Sequence, residues 1–277
     1  YEQRYQAQAL RRALQAIADA RGDVDGYIAG YDAETRQVPG IAADIASRLL
    51  AARRIEEAWA AIEVGTPKPR RGEQGDRFTL LESIGGFWAD SGERAWEETR
   101  LAVMEARGQH DAAQAFRWGC FATKLNAGHL RDYLKRLPDF DDLEAEAKAL
   151  AQVAGHDDVH GALSFLVEWP ALDKAGAMLR ERYRELDGDI YPLLTPAAEK
   201  LAGKQPLAAT LCLRAMIQFT LDEAKSSRYG HAARHLATCA SLEPAIADHH
   251  GIEPHDAFVA RLRAKHGRKY GFWQQVG

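Results

Sequence analysis

Apolar residues recur at intervals of three and four along almost the whole chain, and the strict alternation typical of half-buried strands is absent. The first such series, Leu10, Leu14 and Ile17, predicts the inner, core-facing stripe of an opening helix. Because this periodicity continues nearly to the last residue, the sequence predicts an all-α protein.

The helical segments are arranged as hairpins. Two hairpins are clear, one over 41–52 and 55–63 and one over 95–107 and 111–123, and Gly108 suits the end of a helix. Further helices are predicted over 130–137, 159–166, 171–186, 190–201, 207–224, 229–242 and 255–266. The connections between them are short, which indicates antiparallel neighbours.

Three Ala-rich segments, at 52–62, 106–116 and 202–211, each place a turn before a second helix, as degenerate tetratricopeptide-like hairpins do. The predicted fold is therefore an irregular α-α superhelix, a solenoid-like stack of antiparallel helical hairpins. We expect residues 1–277 to form a single elongated helical-repeat domain. The segment 65–76, rich in proline and glycine, is a candidate internal break.

Charge and composition narrow the function classes. The formal net charge is -4 and the pI is about 6.2, which gives no electrostatic drive towards nucleic acid. No run approaches the roughly twenty apolar residues of a membrane span. Three widely spaced cysteines indicate reduced thiols and a cytoplasmic protein. The chain begins at Tyr1, so we expect it to be the C-terminal part of a longer protein.

Motifs of common enzymes are missing. The sequence contains no GxxxxGK[ST], no strand-led GxGxxG and no GxSxG. It therefore favours a non-enzymatic role, although whether the protein is an enzyme stays open, and it predicts no cofactor.

One segment has the residue types of a metal site. His231, His235 and Cys239 recur every four residues and share one helical face, and imidazole with thiolate is a ligand set for zinc. His249, His250 and His255 follow closely enough to add ligands. The alternative, which we favour, is that this is the inner face of a packed helix with structural histidines.

A second group is basic. Its members, candidates for contact with an anion or an acidic partner, are Arg228, Arg234, Arg263, Arg268 and Lys269. The favoured alternative is that the basic residues near the chain end stabilise the C-terminus of the last long helix.

Several segments resemble a family of bacterial, mainly proteobacterial, helical proteins without an assigned activity. They are IADARGDVDGYI, LRDYLKRLPDFDD, FLVEWPALDKA, PLAATLCLRAMI, RYGHAARHL and KHGRKYGFW. The resemblance implies a longer parent protein in a bacterial cytoplasm and assigns no catalytic residue. Arg53 and Arg54 stand where it leads us to expect an Ala-Gly or Gly-Arg turn.

Our leading hypothesis from the sequence is a non-enzymatic scaffold that binds a protein or peptide on the concave face of a helical solenoid. The first alternative is a zinc protein or metalloenzyme centred on His231, His235 and Cys239. The second is an anion or nucleic-acid binder that uses the basic C-terminal segment.

Overall fold

The computed structural model describes residues 2–67 and 87–276, and all regular structure within these ranges is helical, which confirms the all-α class. The helices are α1 (Glu2–Arg21), α2 (Val24–Ala29), α3 (Pro39–Ala51), α4 (Ile55–Val64), α5 (Phe87–Ala106), α6 (His110–Lys124), α7 (Ala127–Leu134), α8 (Asp141–Ala154), α9 (Val159–Glu168), α10 (Leu172–Arg182), α11 (Tyr191–Ala202), α12 (Pro206–Asp222), α13 (Tyr229–Leu242), α14 (His255–His266) and α15 (Tyr270–Val276). Short 3-10 turns lie at Thr35–Gln37, Tyr183–Glu185, Ser226–Arg228 and Glu243–Ala245. None of these helices has the length and apolar character that a membrane crossing requires.

The chain divides into two compact units, Tyr1–Cys120 and Phe121–Gly277. Gly65, the first residue of the candidate break at 65–76, is the C-cap of α4. Residues 68–76 of that candidate break lie outside the described residues.

In the first unit, α3 packs against α4 and α5. Ala46 and Ala58 are completely buried, as small residues at a close helix crossing should be. The turn between α3 and α4 places Arg53 at a φ of 62°, in the left-handed region that a glycine would adopt without strain. Trp96 on α5 donates from its indole Nε1 to the carbonyl oxygen of Ile62 at 2.8 Å. That bond satisfies a polar group inside the core.

The predicted inner stripe of α1 is wrong. Leu10, Leu14 and Ile17 are 62%, 56% and 52% exposed, whereas Ala18 on the same helix is buried. In the described ranges α1 packs mainly against the short helix α2. Periodicity places apolar side chains on one face of a helix, but it does not supply a second element to cover that face.

The second unit is built around α12, which packs against α10, α11 and α13. Its buried residues point in every direction from the helix axis, which is typical of a central helix. Pro206 begins α12, at a position where its missing N–H costs nothing. Helix α15, the last of the described helices, packs against α13.

Candidate functional site

A cavity of about 460 Å³ lies within the second unit, bordered by the turn Tyr183–Glu185, by α12 and by α14 with the segment that precedes it. The part contributed by α12 is one face of that helix, since its lining residues are spaced by three and four: Leu211, Arg214, Ala215 and Gln218. Its volume is in the range that small-molecule sites occupy.

Arg214 forms part of the cavity wall although only 4% of its surface is exposed. Its Nη1 donates to the backbone carbonyl oxygen of Glu253 at 2.7 Å. The guanidinium carbon lies 4.5 Å from the centre of the Phe258 ring. One hydrogen bond and one aromatic face therefore fix the position and the plane of this guanidinium.

The remaining edge of the Arg214 guanidinium is unpaired. Its Nε and Nη2 atoms are buried and have no acceptor among the described protein atoms. Burial lowers the pKa of Arg214, because removal from water disfavours the charged form. An arginine nevertheless stays protonated in proteins, so the cavity wall contains a buried cation with two unused donors.

Arg261 also lines the cavity, but its charge is matched. Its Nε and Nη2 lie 3.0 and 2.5 Å from Oε1 of Glu253, and this pairing raises the pKa of Arg261. The side-chain oxygen of Gln218, in the amide orientation that satisfies both partners, accepts from Arg261 Nη2 at 2.6 Å. The Arg261 guanidinium is therefore held in place and largely neutralised.

The cavity lining contains both cationic and apolar side chains. Three arginines line it, Arg184, Arg214 and Arg261, against the single glutamate Glu253. Apolar contact surface comes from Leu211, Ala215, Ile252 and Phe258. Such a lining suits an anionic group attached to apolar matter.

The structure does not gather the three predicted metal ligands into one site. His231, His235 and Cys239 do not form a group whose ligand atoms lie within 4.8 Å of one another. The exposed His231 has its Nδ1 2.9 Å from Nη2 of Arg234. Burial lowers the pKa of the His235 imidazole and raises the pKa of the Cys239 thiol to about 12. Metal binding by this trio stays a prediction, and it requires a thiolate that burial disfavours.

Two of the histidines that follow α13, His249 and His250, face carboxylates. His249 Nε2 lies 2.8 Å from Oε1 of Glu243, and His250 has its Nδ1 3.4 Å from Asp248. The third, His255, contacts Glu243 Oε1 at 3.0 Å through its backbone N–H, and its buried ring Nδ1 has no partner among the described residues.

The predicted basic residues are distributed over several surfaces, and none of the five lines the cavity. Arg228 pairs with Asp189 at 2.6 Å, and Arg263 lies over the ring of Trp273 at 4.4 Å. Arg268 and Lys269 follow the end of α14. Anion binding by this group stays a prediction.

Sequence reasoning missed Arg214, the residue that defines the cavity. The available signal was its isolation, because it is the one charged residue in the apolar run 207–217 of the segment PLAATLCLRAMI. A lone arginine inside such a run indicates a buried cation, and buried charges require a partner.

Residues 1–275 match a family described as "Family of unknown function (DUF6880)". The chain belongs to this family. Membership in DUF6880 agrees with the resemblance found in the sequence, and it assigns no activity. No curated protein and no solved structure matches the chain.

Proposed function

We propose that this protein is a binding protein for an anionic ligand, which it holds in the cavity of its second unit through Arg214. The observation that supports this role is the buried guanidinium with unpaired Nε and Nη2 in the cavity wall. An unsatisfied buried donor costs about 1–3 kcal/mol. A group from outside the chain is one way in which such a buried donor is satisfied.

The second support is charge. Glu253 pairs with Arg261, whereas the Arg214 side chain makes its only protein hydrogen bond to a neutral backbone carbonyl, and the carboxylates of Glu243 and Glu253 lie near enough to favour its charged form. The exposed Arg184 adds a further positive charge to the lining. An anion entering the cavity therefore meets a lining with three arginines and one glutamate in a partly desolvated setting, where electrostatic attraction is stronger than in water.

This proposal keeps the non-enzymatic binding role predicted from the sequence, but it places the binding site in the cavity of the second unit instead of on the concave face of a superhelix. The concave face of a tetratricopeptide-like superhelix stays a prediction, whereas the cavity rests on named contacts. A protein or peptide partner fits the same proposal when it presents an anionic group to Arg214.

Isothermal titration calorimetry and thermal unfolding with acetate and inorganic phosphate, each added separately, test the proposal. Wild-type protein should bind at least one of these anions and gain about 2.7 kcal/mol of stability when the anion is at 100 times its Kd. Arg214→Met should lose the binding. The circular dichroism spectrum and the unfolding transition of Arg214→Met without ligand separate loss of binding from loss of folding.

The matched control is Lys204→Gln, which removes one exposed positive charge of the second unit outside the cavity. It should bind as the wild type does. If neither these anions nor any organic carboxylate binds to folded wild-type protein, or if Lys204→Gln weakens binding as much as Arg214→Met, the proposal is wrong.

A further inference from the structure

We infer that the ligand of this cavity is a carboxylate attached to an apolar body, such as an aryl or alkyl group. This inference rests on the proposed anion-binding function and names the class of anion. Its three supports are the geometry of the Arg214 donors, the charge and donors that remain available, and the apolar surface beside them.

The first support is geometric. Nε and Nη2 lie on the same edge of a guanidinium, and their N–H groups are parallel and spaced to match the two oxygens of one carboxylate. These are the two atoms of Arg214 that have no partner, while Nη1 is occupied by the Glu253 carbonyl. The free edge is thus a two-pronged donor held in a fixed plane against Phe258.

The second support is the charge that is available. Arg261 is engaged by both carboxylate oxygens of Glu253 and by Gln218, so its donors are already used. Arg214 then offers two hydrogen bonds and one buried positive charge, which the nearby carboxylate of Glu243 offsets in part. A carboxylate needs one charge and two in-plane donors, whereas a phosphate dianion has a third charged oxygen and a second negative charge to satisfy.

The third support is the wall next to Arg214. Leu211, Ile252 and Phe258 line the same cavity, whose volume of about 460 Å³ exceeds what a carboxylate alone fills. Removing apolar ligand surface from water there adds about fourfold in affinity for each buried methylene. The cavity should therefore bind an organic acid more tightly than a small inorganic anion.

Such a group occurs in free organic acids and at the C-terminus of a polypeptide that ends in an apolar residue. The shared chemistry is a carboxylate joined to apolar carbon. 3-Phenylpropionate represents the first source and N-acetylphenylalanine represents the second, which also presents a peptide-like amide.

Calorimetric titration of wild-type protein with acetate, 3-phenylpropionate, 3-phenylpropionamide, N-acetylphenylalanine and phosphate tests the inference. We expect 3-phenylpropionate or N-acetylphenylalanine to bind at least ~10-fold more tightly than acetate and phosphate, and the amide not to bind. The tighter of the two aromatic acids identifies the source.

Two variants make the test specific to the cavity. Arg214→Lys keeps a positive charge but loses the two-pronged geometry, so the aromatic acid should bind at least ~10-fold more weakly. Ile252→Ala should weaken the aromatic acid severalfold and leave acetate unchanged. Ile246→Ala is the control, because Ile246 is 9% exposed like Ile252 but does not line the cavity.

The possible failures are distinguishable. Tighter binding of phosphate than of every carboxylate, or equal affinity for acetate and 3-phenylpropionate, overturns the inference and leaves the anion-binding function standing. Absence of binding by every anion overturns both.

Discussion

Arg214 on α12 and Glu253 before α14 are joined by a 2.7 Å hydrogen bond from the guanidinium Nη1 to a backbone carbonyl oxygen. The contact spans 39 positions of the sequence and fastens the segment before α14 to the central helix of the second unit. The same side chain leaves its Nε and Nη2 unpaired. One residue therefore contributes to the local fold and, in our proposal, to ligand recognition, and these contributions can be measured separately.

We expect Arg214→Met to lower the free energy of unfolding of ligand-free protein by no more than about 1 kcal/mol. The lost charged hydrogen bond is worth about 1.5–3 kcal/mol, and relief of two unsatisfied buried donors at about 1–3 kcal/mol each offsets it. Urea unfolding followed by circular dichroism provides the measurement.

Arg117→Met is the matched comparison for this stability test. Arg117 is 2% exposed, and its Nη2 pairs with Glu105 at 2.7 Å. Its removal breaks this ion pair and the hydrogen bond from Nη1 to Gln114 and relieves one unpartnered donor, Nε, instead of two, so we expect a larger loss, on the order of 2 kcal/mol or more. Equal losses in the two variants would mean that Arg214 is an ordinary structural arginine.

Gly188 precedes α11 at a place where a side chain does not fit. A Cβ there would lie 2.6 Å from the Cβ of Phe219 and closer still to the carbonyl oxygen of Ala215, which lines the cavity. Because a backbone atom cannot rotate away, Gly188→Ala should destabilise the protein by about 1–3 kcal/mol and weaken anion binding.

Gly203→Ala is the control for Gly188→Ala. Gly203 is the C-cap of α11 with a φ of -75°, and nothing lies within 4 Å of a Cβ built there. Thermal unfolding should show no loss, or a gain of about 0.4–1 kcal/mol from reduced freedom of the unfolded chain. If both alanine variants unfold at the wild-type temperature, the close contact at Gly188 is not rigid.

Local structure was predictable where one residue type determines a conformation. Asn126 is a residue type that favours the start of a helix, and its side-chain oxygen accepts from the backbone N–H groups of Gly128 and His129 at the start of α7. Gly108 was expected at a helix end and has a φ of 71°. The face of α1 was not predictable, because burial of Leu14 depends on an element distant in sequence.

The candidate site could not be predicted from the sequence either, because it also depends on contacts between residues that are distant along the chain. The spacing of four residues between His231, His235 and Cys239 suggested a metal site. Residues that share one face of a helix do not necessarily bring their ligand atoms together, and His231 and Cys239 do not. The cavity depends instead on Arg214 meeting Glu253 and Phe258 across the fold. Only the isolation of Arg214 in an apolar helix pointed to it in advance.

Protonation of His160 should lower the free energy of unfolding at acidic pH. Its Nε2 accepts from the backbone N–H of Asp187 at 2.9 Å, which requires a neutral imidazole. Burial lowers the pKa of His160 despite the nearby carboxylates of Asp158, Asp187 and Glu185. Below about pH 6.5 the unfolded chain binds more protons at this residue than the folded one. The stabilisation is therefore present above that pH and is lost as the pH falls through the lower folded pKa.

His160→Gln keeps an acceptor oxygen and removes the titration. Urea unfolding at pH 7.5 and pH 5.5 should show a smaller drop in stability for this variant than for wild type, with similar stability at the higher pH. Parallel drops in the two proteins would show that protonation of His160 is not coupled to unfolding. Burial also lowers the pKa values of His235 and His266, which should account for part of the remaining decrease.

The thiol of Cys239 tests the metal hypothesis directly. Burial raises its pKa to about 12, so about one molecule in ten thousand holds a thiolate at pH 8. We expect native protein to resist iodoacetamide at this thiol and to react fully in urea, and we expect His235→Ala to leave the metal content of chelator-free protein unchanged. Zinc binding would need a deprotonated Cys239 and hence a rearranged α13. Stoichiometric zinc in wild type that is lost in His235→Ala would therefore overturn the structural role of this helix face.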